Sequence, residues 1–316
     1  MRSPRRNCDS PSGVISDYLS VRQRDSHPID WRTTMPYALL GVQRTNTALD
    51  RRLVHKRAHA EVLITSILPA GPDIWRCGVQ IPRGHSGVGG VPRRVPVVLA
   101  VEVVRQAGLA VSHLGYDVPL EWAFTIQRIA AAWIPGNPPV FAQYDPFETI
   151  VTVAVVGVTT RKGLTSGMEL VFELGEDGRH GFGHAEHRCL SRTDYCSLRR
   201  AAPAPGGVAP RTDGERLRAG TITEDGLSAL LGWNEPGTPF IFDHPVDHIP
   251  GMLLVDAGIA AHRRLTGSDP SGLALDCDRF GERASDVAVQ STRIPDGIRT
   301  VFRQEGHLIA EVTTRA

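Results

Sequence analysis

The sequence predicts an α+β protein built twice over, with two long central helices each wrapped by an antiparallel sheet. Two apolar stretches carry this reading. Residues 96–114 (PVVLAVEVVRQAGLAVSHL) are apolar on almost every side, apart from Glu102, Arg105 and Gln106. Residues 251–261 (GMLLVDAGIAA) are apolar except for Asp256. A helix that is hydrophobic all round is a buried one, and isolated acids are almost never buried unless paired or used. A third observation is the repeated order. Each stretch follows a His-containing turn (82–85, PRGH; 243–248, DHPVDH) and precedes a strand–turn–strand pattern (168–190; 299–315). A period of roughly half the chain indicates tandem domains, not a solenoid.

The elements follow in order. Residues 1–45 are rich in Arg, Ser, Asp and Pro without periodicity and are expected to be a flexible arm. The first repeat is assigned to 46–200. Residues 54–68 read as its first strand region, from the alternation in AEVLI at 60–64. The helix comes next, then strands expected at 122–133, 149–160, 168–174 and 180–190. AAPAPGGVAP at 201–210 opens a Pro/Gly linker assigned to 201–216. The second repeat, 217–316, is expected to hold a strand ending at Phe242, the helix from Gly251, and strands near 273–280, 285–293, 299–304 and 307–314. The Val-Thr-Thr-Arg string at 158–161 and 312–315 falls out of register with this repeat and is taken as chance.

Bulk properties exclude several classes. With 316 residues, 35 basic against 34 acidic side chains and a net charge of +1, no basic block supports nucleic-acid binding by charge alone. Five cysteines without a CxxC pair argue against a disulfide framework. The N-terminus lacks the apolar segment of a secretory signal, and no uncharged apolar run has the flanks of a membrane span. The expectation is a cytoplasmic protein without a membrane or nucleic-acid partner. His184, His187 and Cys189 resemble a metal cluster, but alternation on a strand sends His184 to the opposite face. A hairpin surface is expected there, with no metal and no cofactor. No GxSxG elbow, Walker loop or dinucleotide loop is present.

The chemistry centres on the helix starts. Pro250-Gly251 opens the second helix, where free backbone N–H groups can polarise a thioester carbonyl. A His from the preceding turn (His244, His248, or His85 in the first repeat) and a helix carboxylate (Glu102, Asp256) can share acid and base roles. Arg105 lies three residues beyond Glu102 on one helix face, whereas Asp256 has Ile259 at that spacing and Arg263 as its nearest same-face Arg. The alternative is structural: Glu102 with Arg105 is a buried ion pair, and Asp256 bonds backbone or water.

The stretch Phe242-Asp243-His244-Pro245-Val246-Asp247-His248-Ile249-Pro250-Gly251-Met252-Leu253-Leu254 closely resembles the signature of the A-factor synthase (AfsA) family. So do Val54-His55-Lys56, the block Glu102 to Gly108 (EVVRQAG), Ser112-His113 and the string YDVPL at 116–120. The resemblance spans about residues 50–316 and implies a double hotdog fold. It further implies an acyltransferase of γ-butyrolactone-type signal synthesis. In that reaction a β-ketoacyl group on acyl carrier protein or CoA joins the hydroxyl of dihydroxyacetone phosphate, and the ester cyclises to a butenolide. The family's proposed catalytic Glu matches Glu102, and its Arg falls on Ile259. The segment from Pro250 to Ala257 is also similar to β-hydroxyacyl thioester dehydratases, in which an Asp works with a His of the partner hotdog. Side-by-side helices then imply His244 or His248 near Glu102, and His85 near Asp256. For a phosphate-bearing acceptor the candidate cations are Arg83, Arg105 and Arg263, with Gly251 at the helix start. Two rivals stand beside the acyltransferase: another hotdog thioester enzyme (dehydratase or thioesterase), and a non-catalytic acyl-binding or regulatory protein.

Overall fold

The computed structural model describes residues 48–88, 93–203, 215–233 and 238–316. The expected arm and residues 204–214 of the expected linker lie outside these. The order is β1 (Ile64–Gly71), β2 (Ile74–Ile81), α1 (Val97–Gly115), β3 (Ala123–Trp133), β4 (Phe147–Arg161), β5 (Leu164–Leu174) and β6 (Gly181–Leu190). A short α2 (Arg192–Leu198) follows, then β7 (Leu217–Ile222), β8 (Gly226–Leu231), α3 (Gly251–Thr266), β9 (Gly272–Cys277), β10 (Ala288–Ile294), β11 (Gly297–Gln304) and β12 (His307–Arg315).

All twelve strands form one antiparallel sheet in the order β1-β2-β4-β5-β6-β3-β9-β12-β11-β10-β8-β7. Read outward from the centre, the two halves are the same: 3-6-5-4-2-1 and 9-12-11-10-8-7. Each half is strand–strand–helix–four strands, which is the hotdog arrangement repeated. The halves join through β3 and β9, with Arg128 opposite Asp276 and Ala130 opposite Ala274. Small residues permit this seam. A Cβ on Gly272 would stand 2.8 Å from the Ala132 Cβ. The repeated Val-Thr-Thr-Arg falls on β4 and β12, which are not equivalent strands.

The sheet wraps both helices. Sixteen of the nineteen residues of α1 are buried, as are ten of the sixteen of α3. By length and composition α1 could cross a membrane, but here protein covers it. Each helix starts after a proline of nearly identical geometry, Pro96 (φ −63°, ψ 142°) and Pro250 (φ −65°, ψ 140°), with no side-chain cap. The first N–H groups of both helices therefore lack an intrahelical acceptor. Gly267, at φ 76°, ends α3 by donating to the Arg263 carbonyl. The helix starts set an offset of 154 residues, Val97 to Gly251. At that offset Glu102 matches Asp256, Arg105 matches Ile259 and Gly108 matches His262.

Local departures from expectation have local causes. β2 was not expected, because Gly78 and Arg76 break its alternation. The expected strand at 54–68 begins only at Ile64. Arg51–Val54 form a 3-10 turn, and His55 takes a left-handed backbone (φ 53°). The expected strand ending at Phe242 is a turn instead, bracketed by Pro239 and Pro245, which cannot donate to a ladder. Beyond the expected Ala261, α3 continues to Thr266.

Gly258 of α3 faces β12, where an added Cβ would lie 2.4 Å from the Val312 Cγ1. Replacing Gly258 with Ala is expected to destabilise the protein by about 1–3 kcal/mol through overpacking, with partial recovery when Val312 is also cut to Ala. Urea denaturation measures both. A gain of about 1 kcal/mol in the single variant, the helix-propensity effect alone, would contradict this packing.

Candidate active site

The centre of the site is a buried ion cluster on α1. Glu102 is 1 % exposed. Its Oε1 and Oε2 accept from Arg105 Nη2 and Nε at 2.7 and 2.8 Å, Oε1 also accepts from Gln106 Nε2 at 2.7 Å, and Lys56 Nζ stands 3.3 Å away. Burial alone would push this carboxyl up, but the charges of Arg105 and Lys56 and the hydrogen bonds from Arg105 and Gln106 outweigh it, holding it at about 2. Glu102 is thus ionised at neutral pH. Its partners extend the cluster. Lys56 donates to the Phe240 carbonyl at 3.0 Å, and Gln106 bridges the Glu61 carbonyl and the Leu63 N–H, both at 2.8 Å. The buried Asp243 carboxylate accepts the backbone N–H groups of Arg57 and Ala58. The first half thereby grips the loop that precedes α3.

A cavity of about 200 Å³ opens beside this cluster. Its polar end is lined by Lys56, Glu102, Arg105, Asp243, His244 and His248, and the start of α3 (Pro250, Gly251, Met252) borders it. Its apolar side is lined by Gly108, Leu109, Phe124, Ile126 and Ile129. His248 is held from behind: its Nδ1 is 2.7 Å from Asp247 Oδ1, to which Tyr195 of α2 also donates at 2.7 Å. Arg199 adds bonds to Asp247 and to Glu282, and lies over the Phe280 ring. Burial raises Asp247, but the bonds from His248 and Tyr195 and the neighbouring positive charge hold it at about 2. With Nδ1–H donating to the Asp247 carboxylate, Nε2 is the lone-pair nitrogen of the neutral His248 ring. His244 is lowered, mainly by burial, with Arg105 and Lys56 adding to the effect against Asp243.

A second group of imidazoles includes His55 and His187, which line the cavity, and His113. His113 Nδ1 bonds the Val118 carbonyl at 2.7 Å, so its Nε2 must accept, 3.0 Å from His55 Nε2. His187 Nε2 is 3.0 Å from Ser112 Oγ, which donates to the Gly108 carbonyl. The Phe124 ring sits about 5 Å from all three. Burial, with His113 adding to it, lowers His55 to about 3 and His187 to about 4.

Residues 39–190 match the family model described as the A-factor biosynthesis hotdog domain, AfsA. Over these residues the chain is similar to the AfsA family. That match ends at Leu190, the last residue of β6. Two relatives named 2-oxo-3-(phosphooxy)propyl 3-oxoalkanoate synthase extend the likeness over both halves. The one from Streptomyces virginiae is 28% identical and covers 83% of this chain and 93% of its own. The one from Streptomyces coelicolor is 27% identical and covers 84% and 89%. Among solved structures, an acyl-ACP thioesterase from Bacteroides thetaiotaomicron aligns at a TM-score of 0.49 with 10% identity, over 77% of this chain and 97% of that one.

Among the residues expected from the sequence, the cavity brings together Glu102, Arg105, His244, His248 and Gly251. The others lie elsewhere. His85 is buried with its Nε2 3.1 Å from Glu61 Oε2 and its ring edge on Phe240, not on Asp256. Asp256 pairs instead with Arg216, Nε to Oδ2 at 2.5 Å. The expected acid–base pair of the second half is therefore replaced by two separate contacts, His85 with Glu61 and Asp256 with Arg216. Arg83 donates to the Gln143 carbonyl, and Arg263 pairs with Asp269 in a half-exposed position. Neither lines the cavity, because each is captured by a partner near its own loop. Ile259, at the family's Arg position, is a core residue. His184, His187 and Cys189 are buried, not on a hairpin surface, because β6 is covered by α1 on one face and His184 is paired with Glu169. The sequence motifs include Lys56, Asp243 and Asp247 without assigning them a role, and Tyr195 and Arg216 are in none of them. The rarity of lysine, one of only two in the chain, was the available signal for Lys56.

The buried imidazoles set a pH dependence. Folded His55 and His187 stay neutral down to about pH 3 and 4, whereas the unfolded chain protonates near pH 6.5. Between those limits the unfolded state binds more protons, so stability falls on acidification by up to about 1.4 kcal/mol per pH unit per imidazole. Replacing His187 with Gln is expected to shrink the stability difference between about pH 7 and 5 in urea titrations. An undiminished difference would contradict the assignment.

Proposed function

We propose that this cavity transfers a 3-oxoacyl group from a thioester, carried on acyl carrier protein or CoA, to the hydroxyl of dihydroxyacetone phosphate. The relatives' name, which describes a phosphooxypropyl 3-oxoalkanoate, supports this choice of substrates. The observation that carries it is convergence: two cations, a free helix start and an Asp-held imidazole all border one cavity that turns apolar along α1.

Arg105 and Lys56 are positioned for the phosphate, as fork and point charge. Glu102 is a positioning residue that holds both. The acceptor hydroxyl oxygen attacks the thioester carbonyl carbon while its proton passes to His248 Nε2. The carbonyl electron pair moves onto oxygen, where the N–H groups at the start of α3 stabilise it. Collapse of this intermediate breaks the C–S bond, and the departing thiolate takes the proton back from His248. The product is the phosphorylated 3-oxoacyl ester; attack of its C2 carbon on the ketone carbonyl of the dihydroxyacetone unit, with loss of water, gives a butenolide.

Mass spectrometry of purified protein with a 3-oxoacyl thioester and dihydroxyacetone phosphate tests this. The expected product has the mass of the phosphorylated ester or its butenolide. Free 3-oxo acid above the no-enzyme control would identify a thioesterase instead, and unchanged thioester would favour a binding role. Within an active enzyme, Arg105→Ala is expected to raise the KM for the phosphorylated acceptor by about 10-fold or more, the worth of one charge-assisted hydrogen bond. An equal effect on unphosphorylated dihydroxyacetone would remove Arg105 from phosphate binding.

A further inference from the structure

We propose that Gly108 sets the length of acyl group that the cavity accepts; this rests on the acyl-thioester reading above. Arg105 lies three residues from both Glu102 and Gly108 on α1, and all three line the cavity. From Glu102 to Gly108 the helix rises about 9 Å, and the cavity lining adds Leu109, Phe124 and Ile129 along with His187, Arg128 and Glu186. An extended apolar chain attached to a polar head fits that lining.

A glycine inside a helix is destabilising relative to alanine, so its presence in the middle of α1 needs a cause. Close packing supplies one elsewhere: at Gly258 an added Cβ would strike Val312 at 2.4 Å, and at Gly183 it would strike Val104 at 2.5 Å. Gly108 has no such reason. Its added Cβ would meet only Phe172 Cζ at 3.7 Å and His187 Cε1 at 3.8 Å, ordinary contact distances. A methyl group there would stand between Phe172 and His187, and His187 lines the cavity with Gly108. The equivalent position of the second half is not left open. It carries His262, which is fully buried and bonded through Nδ1 to Thr314 Oγ1 at 2.9 Å. The same helix position is thus filled in one half and left empty beside the cavity in the other.

The test is Gly108→Ala, read by thermal denaturation and by kcat/KM over a series of straight-chain 3-oxoacyl thioesters of increasing length. The Tm is expected to rise by about 2 °C, the helix-propensity gain in a chain of this size. The ratio of kcat/KM for the longest over the shortest thioester is expected to fall about tenfold, as one added methyl group in an apolar pocket commonly produces. A fall in Tm would show that packing requires the glycine, and a change equal at all lengths would remove Gly108 from chain selection. If the wild-type protein turns over no thioester, calorimetric binding of saturated fatty acids of graded length decides separately. Selective loss of the long chains in Gly108→Ala would uphold the groove while the transfer reading fails. Identical binding by the two proteins would overturn the groove itself.

Discussion

A carboxylate with almost no solvent exposure can persist as an anion only if donors surround it, and Glu102 is surrounded by Arg105, Gln106 and Lys56. Each donor brings a different part of the chain. Arg105 and Gln106 belong to α1, Gln106 ties in the segment leading to β1, and Lys56 reaches across to the Phe240 carbonyl. Removing the anion would leave two buried cations facing each other and would loosen the loop ahead of α3. The same arrangement aims cations into the cavity. Stability and the proposed phosphate recognition therefore draw on one set of bonds, and the charge of Glu102 belongs to both.

Tandem duplication explains the frame but not the site. The halves share sheet order, helix entry geometry and a helix carboxylate at the same register. They differ in what surrounds that carboxylate. Glu102 has two cations and an amide, with open space two turns on. Asp256 has Arg216, with Ile259 in the core and His262 occupying the position of Gly108. The second half contributes to the first half's cavity by other means, through the start of α3 and the His248–Asp247 pair that α2 braces. One cavity assembled from both halves is a different outcome from two equivalent sites.

The fold was legible because its signal is compositional. A helix apolar on every side has few possible surroundings, and it occurs twice at matched spacing. The individual positions of Glu102, Arg105, His244, His248 and Gly251 at one cavity followed from placing the two helices together. Other features depend on contacts between residues far apart in the chain. Nothing near Asp256 announces Arg216, forty residues earlier, and nothing near His85 announces Glu61. Proton roles were equally hidden. A carboxylate in an apolar helix suggests an acid of raised affinity for protons, and only the converging donors reverse that direction. β2 and α2 were missed because glycine and short length weaken their periodicity.

The central claim is that Glu102 remains ionised and acts by holding Arg105 and Lys56, while proton transfer belongs to an imidazole. Carbon-13 NMR of protein labelled at glutamate side-chain carboxyls, with the Glu102 signal assigned from the Glu102→Gln variant, tests it directly. Across about pH 5 to 8, within which an unperturbed glutamate is already mostly ionised but a catalytic acid of raised pKa titrates, the account predicts a single unshifted carboxylate resonance for Glu102. A titration of that resonance within the same range would show Glu102 to be the proton-transferring group and contradict the account.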